Sequence, residues 1–139
     1  LLGHHGVRYL LIGGYAVNYH GYPRATGDIH IWIALDVENA TRLVDVLREF
    51  GFDTPDLSTA LFLQEGRMVR MGNTPLRIGV LTAISGVTFD ACYPHRVEAT
   101  IDGVEVTVIA IGDLKENKRA SGRHKDLADL KKLSRVADA

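Results

Sequence analysis

Between Leu11 and His30 the chain reads Leu-Ile-Gly-Gly-Tyr-Ala-Val-Asn-Tyr-His-Gly-Tyr-Pro-Arg-Ala-Thr-Gly-Asp-Ile-His. An apolar run that ends in Gly13-Gly14 at a helix start presents backbone N–H groups with no β-carbon in front of them. Phosphate oxygens can dock on such a surface, and a plain tight turn has the same composition. Arg24 and Thr26 follow, as phosphate contacts or as residues that pin the loop. Asp28 and His30 stand two apart on a strand and so share one face, Asp28 as a ligand-site carboxylate, a strand-edge carboxylate or a partner for Arg24. Carboxylate oxygen suits Mg²⁺, whereas imidazole suits Mn²⁺, Fe²⁺, Ni²⁺ or Zn²⁺ better; His30 reads first as an ordinary cleft histidine with no role, and second as a metal ligand. Late in the chain, Lys118, Arg119, Arg123 and Lys125 gather positive charge. That cluster faces a triphosphate or RNA, or is a solvated helix face paired with Asp126 and Asp129. Tyr15, Tyr19, Tyr22 and Trp32 offer stacking surfaces or core packing.

The elements that must hold these residues can be read from period and punctuation. Val7 to Ile12 predicts a buried strand, and Tyr15 to Tyr19 a short helix closed at His20-Gly21-Tyr22-Pro23. Asp28 to Ala34 alternates, with Ile29, Ile31 and Ile33 on a core face and Asp28, His30 and Trp32 towards a cleft or solvent. Asp36 predicts an N-cap for a helix carrying Ala40, Leu43, Val44, Leu47 and Phe50, ended by Gly51. Pro55 predicts a loop, and Leu57 to Gln64 a short helix. Strands are expected at Arg67 to Met71, at Leu76 to Leu81, and over Val97 to Ile109 folded at Asp102-Gly103, a hairpin dipeptide. Asp113 with Glu116 predicts a capped helix start; Ser121-Gly122 interrupts, and a last helix from about Lys125 places Leu127, Leu130 and Leu133 on one stripe. This order predicts an α/β or α+β sheet with helices on one face.

With 139 residues, 46% apolar and 24% charged, the chain fits one globular domain, and a net charge of -1 excludes a global basic field for nucleic acid or membranes. The single cysteine, Cys92, excludes an internal disulfide and a cysteine-built zinc site, and reads as a small half-buried hydrophobe. No apolar run approaches the roughly 18–20 residues of a membrane span, and no secretory signal is visible, so a cytoplasmic location is expected. The start, Leu1-Leu2-Gly3, lacks an initiator methionine and suggests that a few residues precede it.

Gly13-Gly14 at a helix start, followed by Asp28 on the next strand, resembles the Gly-Gly and Asp-x-Asp pattern of the DNA polymerase beta-like nucleotidyltransferase superfamily, and Gly13, Gly14, Ala16, His20, Gly21, Arg24, Thr26 and Asp28 match the longer Gly-Gly-x-Ala, His-Gly, Arg-x-Thr, Asp-x-Asp pattern of its small bacterial members. Within it, the chain looks most like small bacterial proteins related to abortive-infection toxins of toxin–antitoxin systems. Their late Asn-Lys-x-Ala-x-Gly-Arg-x-Lys-Asp pattern is matched by Asn117, Lys118, Ala120, Gly122, Arg123, Lys125 and Asp126, and the resemblance runs from about Val7 to Leu133. It implies a single-domain α+β nucleotidyltransferase fold over residues 1–139. The implied activity is transfer of NMP from an NTP to a hydroxyl on protein, RNA or a small molecule. Gly13, Gly14, Arg24, Thr26 and Lys118 would bind nucleotide, and a divalent metal, Mg²⁺ or Mn²⁺, would be the cofactor. An antitoxin-like protein partner or a homodimer fits the same resemblance.

Two departures alter that expectation. The second Asp of Asp-x-Asp is His30, and the third metal-binding carboxylate, in the family's Arg-Ile-Asp, is Gly79. Asp90 and Glu98 are the nearest spare carboxylates. Loss of metal-borne charge stabilisation forfeits several kcal/mol, at about 1.4 kcal/mol per tenfold in rate. The expected protein is therefore an impaired member that still binds nucleotide or a partner. Its alternatives are an active transferase with one transition metal at Asp28 and His30, and an interaction module with a vestigial cleft. All three expect positions 28, 30 and 79 to converge beside the double glycine.

Overall fold

Tyr9–Ile12 forms β1, four consecutive buried residues, and Gly13 at φ +70° turns the chain directly into α1, Gly13–Tyr19. The computed structural model describes residues 6–20, 28–49, 51, 57–73, 76–101 and 103–133. Strand β2, Asp28–Ile33, is followed by α2, Val37–Glu49. A 3-10 helix at Thr59–Leu63 leads to β3, Met68–Asn73, and β4, Leu76–Leu81. Helix α3, Phe89–Cys92, runs into a 3-10 turn, Tyr93–His95. The hairpin β5, Val97–Ile101, and β6, Val104–Val108, precedes α4, Ile111–Ser121, and α5, His124–Leu133.

The strands form one mixed six-stranded sheet in the order β3-β4-β2-β1-β6-β5. β1 runs antiparallel to β2 and parallel to β6, while β2 is parallel to β4. The outer pairs, β3 with β4 and β5 with β6, are antiparallel. The chain is thus a single compact α+β domain.

Local chemistry accounts for several boundaries. Asp36 Oδ1 accepts the Asn39 N–H at 2.8 Å and caps α2. Asn39 is itself 2% exposed; its Oδ1 accepts the Arg8 N–H, and its Nδ2 donates to the carbonyls of Arg8 and Ala34. One amide therefore ties α2 to the chain before β1 and the end of β2. Ala40, Leu43, Val44 and Leu47 fill the inner face of α2. Each buried branched aliphatic there contributes about 1.5–3 kcal/mol.

Four expectations need correction. Both faces of the sheet centre are covered, because adjacent residues of β1 point opposite ways and all are buried. Trp32 does not line an open cleft: it is 1% exposed and meets Phe89 edge to face at 5.3 Å. A four-residue helix with no long period supplied that cover. Helix α4 starts two residues before Asp113, at Ile111, with Ala110 as N-cap and no side-chain cap. In α5 the stripe is not apolar throughout: Leu127 is 46% exposed, while Asp129 is buried. Phe50, Pro55 and the His20-Gly21-Tyr22-Pro23 closure beyond His20 lie outside the described residues.

Candidate functional site

Paired residues on neighbouring strands share a sheet face, and alternate residues change face. The register aligns Ile12 with His30, His30 with Gly79, and Gly79 with Arg70. These four residues form one row across β1, β2, β4 and β3. The next row pairs Asp28 with Arg77 and Arg77 with Gly72. Positions 28, 30 and 79 thus come together in the backbone, beside the bend at Gly13; the side chain of Asp28 lies outside the described residues.

His30 occupies the middle of this patch. A β-carbon added at Gly79 would stand 2.8 Å from His30 Cδ2, 3.2 Å from its Nε2 and 3.2 Å from Met68 Cε. One added at Gly13 would stand 3.3 Å from His30 Nδ1. The imidazole is therefore lodged between two glycines, one at the double-glycine bend and one at the position of the expected third carboxylate. Its Nε2 is sealed from solvent. Absence of a side chain at residue 79 and presence of a ring at residue 30 are sterically one feature. Arg70 and Arg77 are exposed on the same face.

This donor set does not fit a two-Mg²⁺ centre. Mg²⁺ takes oxygen ligands in near-octahedral geometry, and here the second position carries a packed imidazole and the third no side chain. Among the described residues, no group of three or more His, Cys, Asp or Glu side chains could hold a metal ion. Glu98 cannot stand in: it is on edge strand β5, separated from β2 by β1 and β6, where Thr107 Oγ1 donates to it at 3.0 Å and Arg96 Nε at 3.3 Å. Asp90 is exposed on α3.

The remaining expected site residues divide. Gly13 and Gly14 open α1 next to His30. Arg24, Thr26 and Tyr22 lie outside the described residues. Tyr15 packs half-buried against the core and Tyr19 is 39% exposed, in edge contact with His20. Lys118 is 5% exposed and its Nζ lies 3.5 Å from the buried Asp129 carboxylate of α5. Its ammonium thus belongs to a buried interhelical ion pair. Arg119 bonds Glu116 on its own helix.

Other motif residues have structural partners that sequence reading missed. His20 Nε2 bonds the Ile109 carbonyl at 2.7 Å and fastens the end of α1 to the chain after β6. Asn117 Nδ2 donates to the Ser85 carbonyl at 3.1 Å. Gly86, at φ +82°, lies so close to α4 that an added β-carbon would be 2.4 Å from Ala120 Cβ. Gly122, at φ +67°, closes α4 through its N–H to the Lys118 carbonyl. Arg70 and Met68 were missed as neighbours of Gly79; counting outward from the β3–β4 connection would have found them.

Cys92 is buried, and its thiol is pushed up from 9.0 to about 12 by desolvation first, then by the charge and hydrogen bond of Asp113. Asp113 also accepts from His95 Nδ1 at 3.1 Å. A thiol held protonated is a poor nucleophile, so Cys92 serves packing. A separate cavity of about 670 Å³ opens on the β5–β6 side, lined by residues including Tyr9, Tyr93, Arg96, Glu98 and Thr107. Its charges are largely engaged with each other, with Arg96 4.3 Å over the Tyr93 ring and bonded to Glu98.

Compared with known proteins, the chain matches no family model and no curated relative. No helix among the described residues is long and apolar enough to cross a membrane.

Proposed function

We infer that this chain is a nucleotidyltransferase-fold protein that has lost two-metal nucleotidyl transfer and retains nucleotide recognition. The observation that carries the reading is the seat of His30 between Gly13 and Gly79. The strand order, the turn from β1 directly into a double-glycine helix, and the side-by-side register of residues 28, 30 and 79 all suit the fold implied by the motifs. Transfer by two metals would need carboxylates at residues 30 and 79, and the side chains there provide neither. The cytoplasmic location expected from composition belongs to the same reading.

The test is paired. Incubation with α-labelled ATP, CTP, GTP and UTP and a cell lysate, with Mg²⁺ and then Mn²⁺, is expected to transfer no label. Calorimetric titration with the same nucleotides is expected to give binding heat with at least one. Label transfer abolished by Asp28→Ala would replace this reading with that of an active single-metal transferase. Absence of binding by every nucleotide, with a stable oligomer in sedimentation, would instead leave an interaction module, a homodimer or an antitoxin-like partner's docking domain.

A further inference from the structure

On the outer strands of the same face, two arginines and two glycines alternate in a checkerboard. Arg70 of β3 stands opposite Gly79 of β4, and Arg77 of β4 stands opposite Gly72 of β3. Neighbouring strands are about 4.8 Å apart, and diagonal neighbours of an antiparallel pair lie about 7–8 Å apart. Beside Arg77 the facing Gly72 is exposed and carries no side chain, while opposite Arg70 the space over Gly79 is filled by His30 and Met68. Both arginines and Gly72 are exposed, and β3 is the sheet edge, so the guanidinium groups are reached from solvent above the His30–Met68 cover. Arg77 has a partner of its own within the protein; Arg70 enters no ion pair among the described residues.

The neighbours on this face are known from the register. Asp28 is the adjacent acidic position, next to Arg77, and His30 and Met68 close over Gly79. No carboxylate stands at residue 79, opposite Arg70. In a site with acids at residues 28, 30 and 79, phosphate could approach only through bridging cations. Here the carboxylates at two of those places are gone while the arginines remain, so the local field next to Arg70 favours an anion directly. A guanidinium offers a planar fork of donors that matches phosphate oxygens two at a time.

We propose that the β3–β4 face binds the polyphosphate group of its ligand directly through Arg70, with Arg77 beside it, and without a divalent cation. This rests on the nucleotide-recognition reading and states how that recognition works in a site unable to hold Mg²⁺. Free metal then competes with the protein for the triphosphate instead of assisting it.

The test is calorimetric titration of the full chain with ATP, inorganic tripolyphosphate and adenosine, in EDTA and then in Mg²⁺. ATP and tripolyphosphate are expected to bind in EDTA and no more tightly in Mg²⁺. Arg70→Ala is expected to weaken both by about 10- to 100-fold, the range for a lost hydrogen bond to a charged group, with Arg70→Lys intermediate. Arg70 is exposed at a sheet edge, so both variants should keep the wild-type melting temperature. Nucleotide binding that requires Mg²⁺, or that is unchanged in Arg70→Ala, overturns the proposal and leaves nucleotide recognition standing. Arg70-dependent binding of tripolyphosphate with no binding of ATP upholds the anion site and removes the nucleotide reading. No binding of any probe removes both.

Discussion

Two regions carry nearly all of the motif residues, and they use them in opposite ways. Around β2 and β4, the positions where the resemblance implies carboxylates carry His30 and Gly79, packed against each other. Around α4, the motif residues keep their types and form structural contacts. Asn117 holds the Ser85 carbonyl, Ala120 admits Gly86, Gly122 closes the helix, and Lys118 is buried with Asp129. The motif-matching residues around α4 are therefore accounted for by packing, and the mismatched positions 30 and 79 are the ones that bear on the proposed chemistry. A motif match divided evenly between the two regions would overstate the chemistry.

The largest expected effect that sharpens this contrast is in the α4–α5 pair. Lys118→Met leaves Asp129 charged and buried, and is expected to destabilise the fold by about 3–5 kcal/mol in urea denaturation. The double change Lys118→Met with Asp129→Leu should recover most of that loss. If Lys118 served ligand binding alone, the single variant would unfold like the wild type. Gly86→Ala comes next, at about 3 kcal/mol, from a left-handed backbone and contact with Ala120. Adding Ala120→Gly should relieve the steric part and leave the backbone part.

At the other region, Gly79→Ala is expected to destabilise by about 1–3 kcal/mol because its β-carbon meets the His30 ring. With His30→Ala already present, the same change should have a much smaller effect, and the double-mutant cycle measures the coupling. Equal effects in both backgrounds would mean that the ring and the glycine are independent.

The effect that is smallest at neutral pH, and emerges only in alkali, concerns Cys92. A thiol that loses its proton near 9.0 when unfolded but near 12 when folded binds more protons in the native state between those values. Its contribution to stability is complete below about pH 9 and is lost as pH rises towards 12. The difference in unfolding free energy between wild type and Cys92→Ala should therefore shift against the wild type across that window. Iodoacetamide at pH 8 should label Cys92 slowly in the native chain and quickly in urea.

Legibility in the sequence followed the range of the interaction. The Asp36 cap, the strand Leu76–Leu81, the Gly103 hairpin turn and the Gly122 helix stop were readable because each depends on residues within a turn or two. The cover over Trp32 was not, since it depends on Phe89, in a helix too short to show a period. The Asn39 and His20 bonds, which span 31 and 89 positions, leave no local pattern. Adjacency of residues 30 and 79 was inferable once both strands were placed, but the packing of imidazole on glycine required side-chain geometry.

The central claim is that the His30 ring fills the place where acids at residues 30 and 79 would meet. Mn²⁺ affinity, read by water-proton relaxation, tests it most directly in the wild type, Gly79→Asp alone, and His30→Asp with Gly79→Asp. The account predicts that the folded double variant binds Mn²⁺ more tightly than the wild type, while Gly79→Asp alone is destabilised by the ring. A folded double variant that binds Mn²⁺ no better than the wild type would contradict it.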